Sequence, residues 1–227
     1  MSYLHVNDID LFYEEYGEGL PLVLLHGNGE DHTIFIELIQ SLQTQYRIYA
    51  FDTRGHGKSS AVEEYHYADM AKDFAQAFAL LFDQPVDILG FSDGGIVALF
   101  LAIWFPQCVR RLILCGANYH PYGIKEEARL EMVQEYNEDG NPLIPLMLNE
   151  PWLTEDDLQK VRAPAWVIVG EYDIIEHAHA RELAFLTNSR LLILENETHT
   201  SYVVHSDLLA DLCLEFFIPT REMEKGS

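Results

Sequence analysis

The sequence predicts an α/β fold built on a mostly parallel, eight-stranded sheet with helices on both of its faces. Short apolar runs typical of buried strands alternate along the chain with longer segments whose apolar residues recur at helical spacing. The 227 residues are also enough for one domain of this class with a large core. We therefore expect ligands to bind outside the carboxyl ends of the parallel strands.

The strands are predicted from apolar or alternating runs that end at turn-forming residues. They cover residues 3–6, 9–16, 20–25, 46–51, 86–91, 111–115, 165–169 and 191–194. A turn at Asn7-Asp8 joins the first two strands, so the sheet is expected to begin with an antiparallel pair. Helical spacing of apolar residues predicts helices over 31–44, 67–82, 95–105, 178–186 and 206–217.

Residues 119–164 interrupt this alternation, because the segment is too long for a simple crossover between two strands. We interpret it as a small helical cap over the site. The α/β core then comprises residues 1–118 and 165–227. The alternative is a structural excursion that contacts no substrate.

Two helices are predicted inside the cap segment. An amphipathic helix covers residues 123–138, and Asn141-Pro142 interrupts it. A shorter helix is expected to open at Thr154, because Thr154 and Asp157 have the spacing of a capping box.

Composition restricts the classes of partner. A net charge of −23 argues against nucleic acid or an anionic membrane surface as a partner. No apolar stretch approaches the roughly 20 residues that span a bilayer, and the first residues lack the pattern of a secretory signal. The three cysteines show neither a disulfide framework nor a zinc pattern. We expect a cytoplasmic protein that acts on a small molecule, and its oligomeric state stays open.

The strongest motif is Gly90-Phe91-Ser92-Asp93-Gly94, which lies between a predicted strand and a predicted helix. It matches the G-x-S-x-G pattern, in which a nucleophilic serine occupies a sharp strand-to-helix turn. Side chains at the flanking positions would collide in so tight a turn, which explains the glycines. Ser92 is therefore the predicted nucleophile, and the start of the following helix would direct N–H groups towards a developing anion.

A serine hydroxyl needs a general base, and that base needs an orienting carboxylate, which is expected before the histidine in the chain. Asp173 follows the strand over 165–169, and His199 follows the strand over 191–194. We predict a triad of Ser92, Asp173 and His199, with each residue at the carboxyl end of a strand.

Other residues are candidates for the second and third of these roles. Three histidines are alternative bases, and one glutamate is an alternative to the orienting aspartate. These residues are His177, His179, His205 and Glu171. The histidines have a simpler interpretation as surface or capping residues.

Two backbone N–H groups are predicted to form an oxyanion hole. One belongs to Asp93, and the other belongs to Asn28 in the glycine-rich loop after the third strand. A further hypothesis pairs the Asp93 carboxylate with a substrate ammonium group; the alternative is that Asp93 points outward and contributes only its N–H. Trp152 is a second hypothesis for substrate contact.

The cap segment is expected to supply a partly apolar pocket. Its apolar and aromatic candidates are Tyr119, Tyr122, Met132, Tyr136, Met147 and Trp152. More of them are expected to be packing residues than substrate contacts.

Two other kinds of site are excluded by spacing. Gly57-Lys58-Ser59 resembles the end of a phosphate-binding loop, but Asp52 stands where that loop requires its first glycine. Histidines and carboxylates are scattered without the spacing of a metal site. We therefore expect no nucleotide, no metal and no other cofactor.

Taken together, these motifs resemble those of the α/β-hydrolase superfamily over nearly the whole chain. The matching pieces are Leu24-Leu25-His26-Gly27, Asp52-x-Arg54-Gly55-x-Gly57-x-Ser59, Gly90 to Gly95, and Gly170-x-x-Asp173. Gly90 to Ile96 together with Cys115-Gly116-Ala117-Asn118 is similar to the valacyclovirase-like (biphenyl-hydrolase-like) serine esterases.

The resemblance implies the α/β-hydrolase fold and hydrolysis of a small carboxylic ester through an acyl-enzyme, with the triad on Ser92, Asp173 and His199. A carbon–carbon bond hydrolase or an enol-lactonase with the same triad is one alternative, and a non-catalytic ligand-binding relative is another. The chain departs from the family pattern at Thr198, where a glycine usually precedes the catalytic histidine.

Overall fold

The computed structural model of the chain describes residues 2–218, which form one sheet of eight strands. The strands are Ser2–Val6 (β1), Ile9–Tyr16 (β2), Leu20–Leu25 (β3), Tyr46–Phe51 (β4), Val86–Phe91 (β5), Val109–Cys115 (β6), Ala165–Tyr172 (β7) and Arg190–Thr198 (β8). Their spatial order is β1-β2-β4-β3-β5-β6-β7-β8. β2 pairs antiparallel with β1 and with β4, and the other neighbouring strands pair in parallel. The predicted fold class is confirmed.

Helices cover both faces of this sheet. In chain order they are Ile36–Leu42 (α1), Tyr67–Leu81 (α2), Asp93–Trp104 (α3), Glu126–Asp139 (α4), Ile144–Asn149 (α5), Glu155–Leu158 (α6), His177–Leu186 (α7) and Ala210–Phe217 (α8). The apolar sides of α2, α3 and α7 pack on one face, and those of α1 and α8 pack on the other. A 3₁₀ turn, His32–Phe35, takes up the start of the helix predicted over 31–44.

The central strands are apolar along nearly their whole length because both of their faces are buried. In β3, Leu22 and Leu24 belong to the apolar cluster on one face, and Val23 and Leu25 belong to the cluster on the other. Successive side chains of a strand point to opposite faces, so the same strand anchors both layers of helices. This double anchoring holds the carboxyl ends of the strands in fixed positions.

Strands β7 and β8 run further than their apolar cores predict. Their pairing extends to Tyr172 and Thr198, which lie opposite each other after an irregularity in the register. The last residues of β8 are polar and mostly exposed, so they lack the apolar pattern from which strands are predicted. As a consequence, Asp173 and His199 leave the sheet side by side.

The segment 119–164 is helical, as predicted, but differs in detail. Helix α4 ends at Gly140, whose φ of 70° lies in the left-handed region that glycine favours. Helix α6 begins after Thr154, and Thr154 and Asp157 form the predicted capping box. Helix α5 was not predicted because it has only six residues, with a proline in its first turn.

Helix α4 does not have the buried face expected of an amphipathic helix. None of its residues is fully buried, and Leu130 and Val133 are 62% and 42% exposed. Within residues 2–218, no helix is both long and apolar enough to cross a membrane. The predicted core range 165–227 extends to residues 219–227, which lie outside the described residues.

An ion pair links two central strands. The carboxylate of Asp87 in β5 is fully buried, whereas the Arg110 side chain in β6 is 30% exposed. Arg110 donates from Nε over 2.7 Å to one carboxylate oxygen and from Nη2 to the other. Burial raises the pKa of Asp87, although the bonds from Arg110 act in the opposite direction. Arg110 therefore offsets the free-energy cost of burying a charged carboxylate between the strands.

We expect Arg110→Met to lower the free energy of unfolding by about 3 kcal/mol near neutral pH, because a buried charge loses its partner. Without Arg110 the pKa of Asp87 rises further, so the loss should shrink in acid as Asp87 takes up a proton. Urea unfolding near neutral pH and in acid measures the effect. As a control, Arg47→Met removes an exposed pair with Glu15 and should cost less than about 1 kcal/mol. Equal losses in the two variants would contradict this account.

Candidate active site

Ser92 occupies the sharp turn between β5 and α3. Its φ and ψ angles are 50° and −116°, a strained combination for a residue with a side chain. Backbone hydrogen bonds hold the turn. The Ser92 N–H donates to the Cys115 carbonyl over 2.8 Å, and the Gly95 and Ile96 N–H groups donate to the Ser92 carbonyl over 2.9 and 3.1 Å. The hydroxyl is thus fixed at the edge of the sheet.

The two glycines that flank this serine are required by space. A Cβ atom at Gly90 would lie 2.4 Å from the carbonyl oxygen of Gly94. A Cβ atom at Gly94 would lie 2.2 Å from the carbonyl oxygen of Leu25 in β3. Both obstacles are backbone atoms, so neither can rotate away. Strand β3, strand β5 and helix α3 can approach one another this closely only with glycine at both positions.

The structure brings Ser92, His199 and Asp173 together. The Ser92 Oγ lies 3.1 Å from Nε2 of His199, and Nδ1 of the same ring lies 2.7 Å from Oδ1 of Asp173. Both distances are those of hydrogen bonds. The three side chains therefore form one continuous chain of hydrogen bonds from a hydroxyl through an imidazole to a carboxylate.

Asp173 is buried and fully engaged by donors. Its Oδ1 accepts the Ile175 N–H over 3.0 Å, and its Oδ2 accepts the Gly170 N–H over 3.0 Å. Burial raises the pKa of the carboxyl, but the hydrogen bonds from His199 and from these N–H groups outweigh burial, and the pKa lies below its ordinary value. Asp173 is thus held as a carboxylate in a fixed orientation.

The alternative residues lie elsewhere. Nε2 of His177 is 3.0 Å from a backbone carbonyl, and Nδ1 of His205 is 3.3 Å from an exposed glutamate. His179 accepts a backbone N–H over 3.1 Å, and burial lowers its pKa to about 4. Glu171 is exposed and accepts a backbone N–H over 2.9 Å. The geometry therefore favours His199 and Asp173 over all four.

The imidazole of His199 fits the site because residue 116 is glycine. A Cβ atom at Gly116 would lie 2.6 Å from Cε1 of the ring. The φ of Gly116 is also +58°, in the left-handed region. On another side, the Phe91 ring packs against the imidazole with 5.0 Å between the centroids. These contacts restrict the ring to the orientation in which it reaches Ser92.

The two predicted oxyanion donors lie in the elements that flank the serine. Asp93 is the first residue of α3, and Asn28 lies in the loop that follows β3. Within residues 2–218, neither backbone N–H donates a hydrogen bond. Neither N–H group is therefore committed to an acceptor within these residues, which is one condition for an oxyanion hole. Asn28 lines the cavity beside Ser92, whereas Asp93 does not.

The side chains of Asp93 and Trp152 do not line the cavity beside Ser92. The Asp93 carboxylate is buried against Asn28 and Tyr67. Trp152 is 60% exposed and donates from its indole N–H to a backbone carbonyl over 2.6 Å. The cavity geometry therefore does not favour either side chain as a substrate contact.

A cavity of about 410 Å³ opens beside Ser92 and His199. Core loops and the segment 119–164 both line it. Its lining residues are Asn28, Gly29, Glu30, Phe91, Ser92, Met132, Glu135, Asn141, Ile144, Met147, Ile174, His199 and Thr200. Of the apolar candidates predicted in the cap, only Met132 and Met147 belong to this lining. Among residues 2–218, the lining contains two carboxylates and neither lysine nor arginine.

Glu30 was missed by the sequence analysis. Its Oε2 accepts the Gly27 N–H over 3.0 Å, so the carboxyl bridges the loop that carries Asn28. Burial raises the pKa of Glu30, although the bond from Gly27 lowers it. The one sequence signal for a role of Glu30 was its place in a glycine-rich loop after a buried strand. Its position in the lining of the cavity beside Ser92 depends on how the loop folds back.

One group of potential metal ligands exists among residues 2–218. Asp31, His32 and Asp52 offer ligand atoms within 4.8 Å of one another. Nδ1 of His32 lies 2.6 Å from Oδ1 of Asp52, and the His32 N–H donates to the same oxygen over 2.8 Å. His32 and Asp52 are thus bonded to each other, and Asp31 accepts from Thr33. These bonds hold the 3₁₀ turn against the loop that follows β4.

The comparison with known families agrees with the fold and the motif. A family described as the alpha/beta hydrolase fold matches residues 21–139, which is more than half of the chain. The chain belongs to the α/β-hydrolase family. The resemblance that the motifs predicted is thereby confirmed.

Two curated relatives carry names of hydrolases. The pimeloyl-[acyl-carrier protein] methyl ester esterase of Neisseria meningitidis is 26% identical over an alignment 242 positions long, which covers 85% of this chain and 91% of the esterase. Serine hydrolase BPHL of Mus musculus is 34% identical over 132 residues, which cover 55% of this chain and 45% of that protein.

Solved structures of hydrolases share the architecture. The enol-lactonase from Burkholderia xenovorans has a TM-score of 0.78 at 20% identity, covering 95% of this chain and 99% of that one. A thermophilic esterase from Thermogutta terrifontis has a TM-score of 0.79 at 20% identity, covering 96% and 98%. A meta-cleavage product hydrolase from Pseudomonas fluorescens has a TM-score of 0.78 at 19% identity, covering 96% and 97%. At these identities the similarity shows the fold alone.

We expect Gly94→Ala to destabilise the protein by about 3 kcal/mol, because the new methyl group meets a backbone carbonyl that cannot move aside. Thermal unfolding measures the effect. Gly140→Ala is the matched control, since its methyl group enters open space and its left-handed backbone adds only about 1 kcal/mol of strain. Equal stability of Gly94→Ala and the control variant would contradict the steric requirement for glycine at position 94.

Proposed function

We propose that this chain is a serine hydrolase that cleaves small carboxylic esters through an acyl-enzyme. The observation that carries the proposal is the unbroken chain of hydrogen bonds from Ser92 through His199 to Asp173 at the mouth of a cavity. A hydroxyl is a weak nucleophile unless a base removes its proton. This geometry supplies that base at hydrogen-bonding distance and fixes it in orientation.

The reaction begins when Ser92 Oγ attacks the carbonyl carbon of the ester. Nε2 of His199 takes the hydroxyl proton as the Oγ–carbon bond forms, and the carbonyl π pair moves to its oxygen. The tetrahedral intermediate then expels the alcohol, whose oxygen receives that proton from His199. Water, deprotonated by the same imidazole, attacks the acyl-enzyme, and the proton returns to Ser92 as the acid leaves.

Asp173 supports this chemistry without exchanging protons. Its Oδ1 accepts from Nδ1 of His199, which leaves Nε2 of the neutral ring as the acceptor that faces Ser92. When the ring becomes cationic, the carboxylate stabilises the charge. The low pKa of Asp173 is consistent with this role, because the proton then stays on the imidazole.

The negative oxygen of the tetrahedral intermediate is assigned to the N–H groups of Asn28 and Asp93. A preorganised pair of donors stabilises the charge that develops in the transition state more than it stabilises the neutral ester. The start of α3 adds the positive end of its helix dipole near the same point. These contributions lower the barrier of both half-reactions.

The substrate is assigned to the cavity between the core and residues 119–164, which act as its cap. Met132, Ile144 and Met147 give the cavity an apolar wall, while Glu30 and Glu135 add negative charge. An anionic substrate would be repelled, so neutral esters of modest size fit best. The name of one curated relative, a methyl ester esterase, supports an ester as the bond cleaved, and the name of the other, a serine hydrolase, supports a serine nucleophile.

We expect Ser92→Ala to lower the hydrolysis of p-nitrophenyl acetate by at least about 10³-fold, because the nucleophile is lost while the binding cavity remains. Steady-state absorbance of p-nitrophenolate measures the rate. Ser41→Ala, at an exposed position in α1, is the control and should retain wild-type activity.

A Ser92→Ala variant with wild-type turnover would refute the nucleophile assignment. If the wild type turned over no ester, although a fluorophosphonate still labelled Ser92, a lactone or a carbon–carbon bond would replace the ester as the substrate bond.

We expect Asp173→Asn to reduce kcat by about 10³- to 10⁴-fold with little change in KM, because the amide favours the wrong tautomer of His199. Kinetics with p-nitrophenyl acetate again provide the measurement. Glu171→Gln makes the same chemical change two residues earlier on the surface and should remain within about twofold of wild type. Equal losses in both variants would remove Asp173 from the proposed triad.

A further inference from the structure

The Asp93 side chain is enclosed beside the nucleophile, although its motif position carries no obvious reason for an acid. The residue is only 5% exposed. Its Oδ2 accepts from Nδ2 of Asn28 over 2.8 Å, and its Oδ1 accepts from the hydroxyl of Tyr67 over 2.7 Å. Both carboxylate oxygens are therefore already bonded within the protein.

The Asn28 loop has few other restraints. Asn28 lies between Gly27 and Gly29, and Gly29 is exposed with a φ of +70°. The backbone hydrogen bond across the loop, from Glu30 to Gly27, is long at 3.4 Å. Three shorter bonds that hold the loop come from side chains. Nδ1 of His26 lies 2.7 Å from the Gly27 carbonyl oxygen, the Glu30 carboxylate accepts from the Gly27 N–H over 3.0 Å, and the Asp93 carboxylate accepts from the Asn28 side chain over 2.8 Å. His26 and Glu30 thus hold the Gly27 side of the loop, and Asp93 holds the Asn28 side chain.

Tyr67 holds the other end of the contact. It is fully buried at the start of α2, and its N–H donates over 3.2 Å to Glu150 in the segment 119–164. Asn28 also donates to a carbonyl of that segment, at Leu143, over 3.4 Å. The Asp93 carboxylate is thus the centre of a network that joins the loop, α2 and the proposed cap.

We propose that the Asp93 carboxylate is a positioning group, which clamps the Asn28 side chain and so fixes the Asn28 N–H opposite the N–H of Asp93 itself. The inference rests on the proposed function, in which these two N–H groups bind the oxyanion. One residue then supplies one donor directly and holds the other through its side chain. The short hydrogen bond between their side chains directly links the two residues that carry the donors.

This assignment excludes the other role considered for the same carboxylate, a contact with a substrate ammonium group. Each oxygen already accepts one hydrogen bond within a residue that is only 5% exposed, so an ammonium group has little access to the remaining lone pairs. Asp93 also lies outside the cavity lining, whereas Asn28 lies within it. The carboxylate therefore acts on the reaction through Asn28.

The test is a double-mutant cycle with Asn28→Ala and Asp93→Asn. Both variants keep the backbone N–H groups. Asn28→Ala removes the clamp, and Asp93→Asn weakens it. In Asp93→Asn, the amide that replaces the carboxylate has one oxygen for the two donors that face it. We expect each variant to lower kcat by about 10- to 100-fold, with KM changed by less than about threefold, since a donor to the transition state is displaced. The double variant should be no slower than the slower single variant, because both changes act on the same contact.

Two substrates separate positioning from substrate binding. Methyl propionate and alanine methyl ester differ by one amino group, and a pH-stat measures both hydrolyses. The clamp predicts equal fold losses on the two esters, with a parallel fall in the rate of inactivation by a fluorophosphonate. A loss confined to alanine methyl ester in Asp93→Asn would overturn the inference in favour of an ammonium contact.

Two further results would also overturn it, namely an unchanged kcat in Asn28→Ala or multiplicative losses in the double variant. Asn28 lies on a partly exposed loop, so Asn28→Ala tests the clamp even if Asp93→Asn does not fold. Ser92→Ala distinguishes a failure of the proposed function from a failure of the clamp. An active Ser92→Ala would defeat the proposed function, whereas an inactive Ser92→Ala beside a fully active Asn28→Ala would defeat the clamp alone.

Discussion

The strained turn at Ser92 is the constraint on which the rest of the site depends. A serine with a φ of 50° persists only where neighbouring backbone leaves no relaxed alternative. Here β3, β5 and α3 meet so closely that Gly90 and Gly94 have no room for a side chain. The consequence of this crowding is geometric. It places the hydroxyl at the edge of the sheet, directly before the first residue of α3.

A second constraint, the pairing of the ends of β7 and β8, brings the partners of the serine together. Because Tyr172 lies opposite Thr198, the next residue on each strand emerges beside its neighbour, and Asp173 meets His199 without a long loop. Burial makes this proximity effective, since a carboxylate with three hydrogen bonds in a low-dielectric site orients its histidine firmly. The proposed clamp through Asp93 applies the same logic to the Asn28 loop, where side-chain bonds are shorter than the backbone bond from Glu30 to Gly27.

The sequence predicted those parts of the molecule that local sterics and chain order determine. The glycines around Ser92, the parallel strands and the order of serine, aspartate and histidine are of this kind. Contacts between distant segments were not predictable. Glu30 lines the cavity because its loop folds back, and Trp152 packs on His120 instead. The motif fixes the backbone of Asp93 but not its side chain, whose direction is decided by Tyr67 and Asn28. The ends of β7 and β8 were not predicted as strand, because their polar residues lack an apolar pattern. They are strand because the two distant segments pair with each other.

The most direct test of the central claim is to trap the covalent intermediate. The protein is mixed with p-nitrophenyl acetate, quenched in acid within the first turnovers, digested, and mapped by mass spectrometry. The account predicts an acetyl group on the peptide that contains Ser92, localised to that serine, with increased occupancy in a His199→Ala variant if deacylation slows more than acylation. Steady turnover with the acetyl group on another residue, or with no acetylated peptide in either protein, would contradict it.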